Sequence, residues 1–306
     1  MFGRRALFTL MAGAGAIAIT PASATPRVTT IPAGPEPTLV AVNSCLYVGN
    51  GDASLSILGS ARVAIGGPPT DLAVDEGTGS VYVASEAAGT VTVLDPYGRI
   101  RTVIASGPGA AVVDLDRGKN RLYAAGGATG SVAVIDTVAG AVVDVLHGPG
   151  NGFGGIRVDS GRGVAYLTNV GAGTVEVLDL SSGEFTVSIP VGRAPAGLAL
   201  HEPSNSLYVA NSGIHHLSVI DGASHTERAR ILLRSEASSV AVHEPSHTVY
   251  ANGGPDGIVK IDGAAGKITG ELSLGINPGG IAVSGRTGTV FVTDPLHDQL
   301  YAINEI

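Results

Sequence analysis

Ile189–Arg230 reads IPVGRAPAGLALHEPSNSLYVANSGIHHLSVIDGASHTERAR, and this stretch decides the fold. Between its Gly/Pro turns lie four runs of four to seven residues rich in Val, Ile, Leu and Tyr, the length and composition of short strands. A strand solvated on one face alternates apolar and polar residues, because successive side chains point to opposite faces. SLYVA and LSVID are instead apolar at consecutive positions, so both faces of their sheet are expected to be buried. A sheet sandwiched between two others has that property.

The same pattern recurs along the chain. Tyr47, Tyr82, Tyr123, Tyr166, Tyr208 and Tyr250 share one local setting, Phe291 takes a seventh place, and the successive spacings are 35, 41, 43, 42, 42 and 41. A period of this length with four strands per copy describes a β-propeller, in which each blade covers the faces of its neighbours. The last copy has only three strands, GGIAV, TVFVTD and QLYAINEI, while an orphan, Arg27–Ile31 (RVTTI), precedes the first copy. The orphan matches a fourth strand, so it is expected to complete the seventh blade and close the ring. The expectation is an all-β, seven-bladed propeller of four-stranded antiparallel blades over residues 25–306.

Residues 1–24 read as a signal peptide: Arg4 and Arg5, an apolar run from Ala6 to Ile19, then Ala22, Ser23 and Ala24. The paired arginines resemble a twin-arginine export signal, with Gly3 where Ser or Thr usually stands, and the general secretory route stays open. No later stretch is apolar for the roughly 20 residues a membrane helix needs. The mature protein is therefore expected to be exported, to the periplasm, cell envelope or exterior, without a membrane span, and to be a monomer. Removing two arginines from 18 basic residues leaves 16 against 26 acidic, a net charge of −10, which disfavours nucleic acid as a partner. Cys45 stands alone, so no internal disulfide staples the fold, and a buried, inert thiol is expected.

The repeats resemble the YVTN family of β-propellers, whose pattern is a turn of the type IPVG..P.G, an apolar strand, YVTN and then VID. IPVGRAPAGLAL, LYVAN and LSVID carry the resemblance, with AYLTN and VFVTD as variants, over residues 27 to 306. It implies an exported propeller that binds or scaffolds, since many members have no assigned activity. The first copy departs most, with a shortened turn and ILG in place of VID.

Two motifs suggest other chemistry. HEPSH, His243–His247, matches a zinc-protease pattern, but that chemistry needs both histidines on one helical face, and Pro245 breaks a helix. It aligns with HEPSN from His201, DEGTG from Asp75, DRGKN from Asp116 and DSGRG from Asp159, all turns between first and second strands. Gly150, Gly152 and Gly155 satisfy G-x-G-x-x-G, but a strand follows where the dinucleotide fold requires a helix. The stretch reads as an interblade turn. Asp95, Asp136, Asp179, Asp221 and Asp262, which end third strands, read as caps of the next turn. No cofactor, metal site or catalytic residue is assigned.

Candidate ligand groups come from breaks in the repeat. Three residues after each Tyr stand Asn50, Ser85, Gly126, Asn169, Asn211, Gly253 and, after Phe291, Asp294. These read as turn formers or as a ring facing a ligand. One loop position is Ala53, Gly89, Gly130 and Gly173 in the first four blades but His215, Asp256 and Asp298 in the last three. A turn that works with glycine does not require a charged or titratable side chain. His216, His297, Arg193 and Arg234 are expected on the same face, making a crescent for a protein, peptide or envelope ligand. Histidine there would change the affinity between about pH 5 and 8. The runner-up is a lactonase-like or lyase-like enzyme at the channel mouth. The channel position reads Leu39, Asp71, Val112, Gly155, Gly197, Ser239 and Gly280, and only Asp71 suits a calcium ion, which takes six to eight oxygens. Asp114 and Arg157 replace alanine at one position of adjacent blades and are expected to form a buried ion pair.

Overall fold

A computed structural model of the chain describes residues 26–304 apart from 108, 151, 255 and 256. The expected signal peptide lies outside the described residues. Seven four-stranded antiparallel sheets form, six of them running in chain order from the innermost strand to the outermost. In blade 5 these are Pro195–His201, Ser206–Asn211, His216–Asp221 and Thr226–Leu232. The seventh sheet takes its fourth strand from the other end of the chain: Arg27–Pro32 pairs antiparallel with Gln299–Asn304, Arg27 opposite Asn304. The innermost strands of neighbouring blades touch all the way round, blade 7 against blade 1 included.

The doubly apolar strands are explained by the layers they serve. In the third strand of blade 3, Ala133 and Ile135 pack in the layer shared with blade 2, while Val132 and Val134 pack in the layer shared with blade 4. Each fully buried Val, Leu or Ile contributes about 1.5–3 kcal/mol, so one strand stabilises two interfaces. The repeating tyrosine spans such an interface. Tyr166 Oη donates to Gly222 O of the next blade at 3.3 Å, and Tyr208 Oη to Gly263 O at 2.9 Å, each glycine standing just after a third strand. Burial pushes the Tyr166 phenol up to about 12.

The turns follow their residue chemistry. Asp136 Oδ1 accepts from the N–H of Val138 and Ala139, and Asp221 Oδ1 from Ala223 and Ser224. Asp95, Asp179 and Asp262 do the same, so the five aspartates are caps. HEPSH is a single 3-10 turn, Glu244–Ser246, with His243 before it and His247 after it at φ 49°. His243 Nδ1 lies 2.7 Å from Ser246 Oγ, whereas His247 turns toward blade 5, so the two rings serve different neighbours. After the glycine-rich turn comes a strand, Phe153–Asp159, as an interblade turn requires. Cys45 departs from expectation: it is half-buried at the edge of the layer between blades 1 and 2, because the shortened first copy covers it incompletely.

Candidate functional site

One face of the ring, the loop face, carries the interblade connections and the loops between second and third strands. The position singled out by its broken symmetry is left-handed in five blades: Ala53 (φ 61°), Gly89 (62°), Gly130 (64°), Gly173 (69°) and Asp298 (56°). Asp298 holds this conformation while its Oδ1 accepts from Glu36 N–H at 2.8 Å and its carbonyl accepts from Ala33 N–H at 2.9 Å. It therefore stitches the seam between the two chain ends. His215 escapes the left-handed geometry because its loop folds differently, His216 N–H donating to Ile214 O at 2.9 Å. Asp256 lies outside the described residues.

Four other members of the expected crescent sit beneath the surface. Asn169 is 2% exposed, and its amide donates to Pro149 O at 2.7 Å and to Glu176 Oε1 at 3.2 Å. Asn211 is fully buried, its amide donating to His216 O at 3.0 Å and Ser218 Oγ at 3.2 Å. Asp294, also buried, accepts from His297 Nδ1 at 2.7 Å. His216 is buried, and desolvation, reinforced by Arg230 and opposed by Glu227, holds its imidazole below the ordinary range. Buried polar groups need internal partners, and the two asparagines join the second strand to the third. The polar residue six or seven places after each asparagine, Ser56, Glu176 or Ser218, is the sequence signal for that role.

The exposed remainder is compact in composition: Arg193, His215, Arg234 and His297, with Ile214 and Leu296 beside them. His215 Nε2 lies 3.2 Å from Glu236 Oε1, bridging blades 5 and 6, and Arg234 Nε lies 3.2 Å from Glu271 Oε1. Arg193 Nε donates to Gly213 O at 2.8 Å. Glu236 was not foreseen, since it comes from an interblade turn with no repeat signature. Such exposed pairs contribute under about 1 kcal/mol each, so they are available to a partner at little cost to the fold.

The central channel has a volume of about 680 Å³. The innermost strands turn one edge toward it, and that edge needs hydrogen-bond partners. Asp71 supplies them in blade 2, its Oδ1 accepting from Leu72 N–H at 2.8 Å and its Oδ2 from Val113 N–H of blade 3 at 3.0 Å. Asp114 repeats the device, accepting from Leu115 N–H at 2.9 Å and from Val158 N–H of blade 4 at 2.7 Å. The expected Asp114–Arg157 pair is therefore replaced by a bond to the main chain. Both residues are half-buried along the channel rather than enclosed. Desolvation raises the Asp71 carboxyl to about 6, against the lowering effect of Arg157.

The glycines at the channel position have a separate cause. A Cβ on Gly155 would stand 2.6 Å from Ala196 O, on Gly197 2.7 Å from Ser238 O, and on Gly280 2.8 Å from Thr38 O, each a carbonyl of the next blade. Gly197 and Gly280 also donate their N–H to those same carbonyls, at 3.0 and 2.9 Å. They mark where blades meet.

On the opposite face, the hairpin face, His201 and His247 stack with ring centroids 3.6 Å apart. Tyr208 Oη lies 2.7 Å from His247 Nε2 and donates its hydrogen to Gly263 O, so the imidazole N–H is the donor to the phenol. Burial, with His201 and Arg228 adding to it, holds the His247 pKa below the ordinary value near 6.5. Below about pH 6.5 the unfolded chain takes up this proton before the folded one does, so stability is complete above that pH and is lost as pH falls. His247→Asn installs the residue of the matching blade 5 turn, where Asn205 has φ 49° as His247 does. Thermal melts from pH 8 to 5 should show a shallower acid limb for this variant and a loss of only a few degrees at pH 8. An acid limb unchanged from the parent would show that another group is responsible.

No protein-family model matches this chain, and no curated protein sequence matches it. Among solved structures it is similar to that of U3-55K, with a TM-score of 0.78 at 12% identity over 90% of this chain and 98% of the other. At that identity the likeness is one of fold, a seven-bladed β-propeller. Among the described residues no helix is long and apolar enough to cross a membrane.

Proposed function

We propose that the protein is an exported, non-catalytic binding module of the YVTN propeller type that holds a protein or peptide of the cell envelope against the loop face of blades 5 to 7. The observation that carries this reading is the placing of exposed Ile214 and Leu296, 41% and 78% exposed, among Arg193, His215, Arg234, Glu236 and His297. Apolar anchors within a ring of charged groups are the composition of a protein-binding surface. Blades 2 and 3 close the equivalent loops with glycine and expose no large apolar side chain there. The enzyme reading is weaker, because Asp71, the channel carboxylate it relies on, commits both oxygens to main-chain N–H groups.

The test is a double variant, Ile214→Asp with Leu296→Asp. Both side chains are exposed, so the melting temperature should stay within about 1–2 °C of the parent. A partner captured from the producer's envelope by the parent should bind the variant at least tenfold more weakly. Retention of the same partner, or no envelope protein enriched by the parent, overturns the reading.

A further inference from the structure

One rung of the innermost strands runs round the channel opposite the repeating aromatic residue: Ala73 faces Tyr82, Asp114 faces Tyr123, Arg157 faces Tyr166, Ala199 faces Tyr208, and Ala282 faces Phe291. Ala41 and Ala241 complete it, opposite Tyr47 and Tyr250. Five blades thus place alanine where blade 4 places a guanidinium. No main-chain need explains it. Asp114, beside it, is held by Leu115 and Val158 N–H, but the one hydrogen bond of the Arg157 guanidinium among the described residues is from Nη1 to Ile156 O at 2.7 Å. A guanidinium carries five N–H donors in a planar fork that suits an oxyanion. Arg157 is half-buried and lines the channel of about 680 Å³, and four of these donors have no partner among the described residues.

We propose that the channel binds a small monocarboxylate, its carboxylate seated on Arg157. The charge count favours one negative charge over two. Asp71 and Asp114 share the channel with Arg157, and Glu76, Arg117, Glu202 and Glu244 line it toward the hairpin face. A dianion such as phosphate meets more repulsion from these carboxylates than a monocarboxylate does. The strands lining the channel in blades 1, 5, 6 and 7 add no charged group to its wall; His201 bonds Ser204 Oγ and the Glu244 carbonyl of blade 6, and His243 bonds Ser246 Oγ. The charge of Arg157 acts on Asp71 although blade 3 lies between their blades. A carboxylate that occupies Arg157 therefore removes part of what keeps Asp71 ionised. Binding then takes up a proton and tightens as pH falls toward 6, by up to about tenfold per pH unit for one linked proton.

The experiment is calorimetric titration of the mature protein with sodium hexanoate, hexanol and inorganic phosphate at pH 5.5 and 7.5. Hexanoate should bind with one-to-one stoichiometry, more tightly at pH 5.5 and with proton uptake, and hexanol and phosphate at least tenfold more weakly. Arg157→Ala, which installs the residue of five sibling blades, should melt like the parent and lose at least tenfold in hexanoate affinity, with Arg157→Lys intermediate. Undiminished binding by Arg157→Ala overturns the proposal. So does the absence of saturable hexanoate binding to the parent, or a preference for phosphate.

Discussion

Removal of residues 26–32 is expected to lower the melting temperature by roughly 10 °C or more and to make the protein associate. The strand Arg27–Pro32 is paired along its whole length with Gln299–Asn304, and the turn after it is held by the backbone and carboxylate of Asp298. Net hydrogen bonds contribute about 1 kcal/mol each, so losing this ladder costs on the order of 5 kcal/mol. The deletion also leaves the third strand of blade 7 as an open edge and uncovers the surroundings of Leu300 and Ile303, both fully buried. Calorimetry and size-exclusion chromatography measure both effects. A truncated protein that stays monomeric with an unchanged melt would mean that the ring is held closed elsewhere.

Gly197→Val should be nearly as damaging. Its Cβ would meet Ser238 O of blade 6 at 2.7 Å, and backbone cannot step aside as a flexible side chain does. Overpacking of this kind costs about 3 kcal/mol, or roughly 6 °C or more in a chain of this size. Gly197→Ala should fall between the two, because it brings the first clashing atom and no others. Val112, at the matching position of blade 3, is native valine and is buried in the layer shared with blade 4. If Gly197→Val melts with the parent, the blades are not in contact there as described.

The ring was legible because each interface imposes its demand on every blade. Tyr166 and Tyr208 reach the next blade's turn in the same way, and that repetition printed the period into the sequence. Arg27–Ile31 could be assigned to blade 7 for the same reason, since an outermost strand is missing from one copy only. What the sequence hid were one-off contacts between residues distant in the chain. Gly155, Gly197 and Gly280 looked like a channel position that lacks ligand groups, whereas a carbonyl some forty residues away, or at the far end of the chain, excludes a side chain. Asp114 and Arg157 looked like partners because alignment sets them side by side. The alignment does not show that the N–H of Val158 lies closer to the carboxylate. Asn169 and Asn211 share a composition with exposed turns, and only the packing of a second strand against a third buries them. Asp298 and His215 were equivalent as letters, but their backbones differ.

Because Arg27 and Asn304 are ladder partners, the two ends of the described chain lie side by side on the hairpin face. The ring consequently has a seam but no beginning. Joining these ends through a short linker and opening the chain in an interblade turn, such as that around Arg234 and Ser235, would turn a hydrogen-bonded seam into a covalent one and move the break to another interface. The linear order of the blades in a gene is thus one of several that encode the same circle.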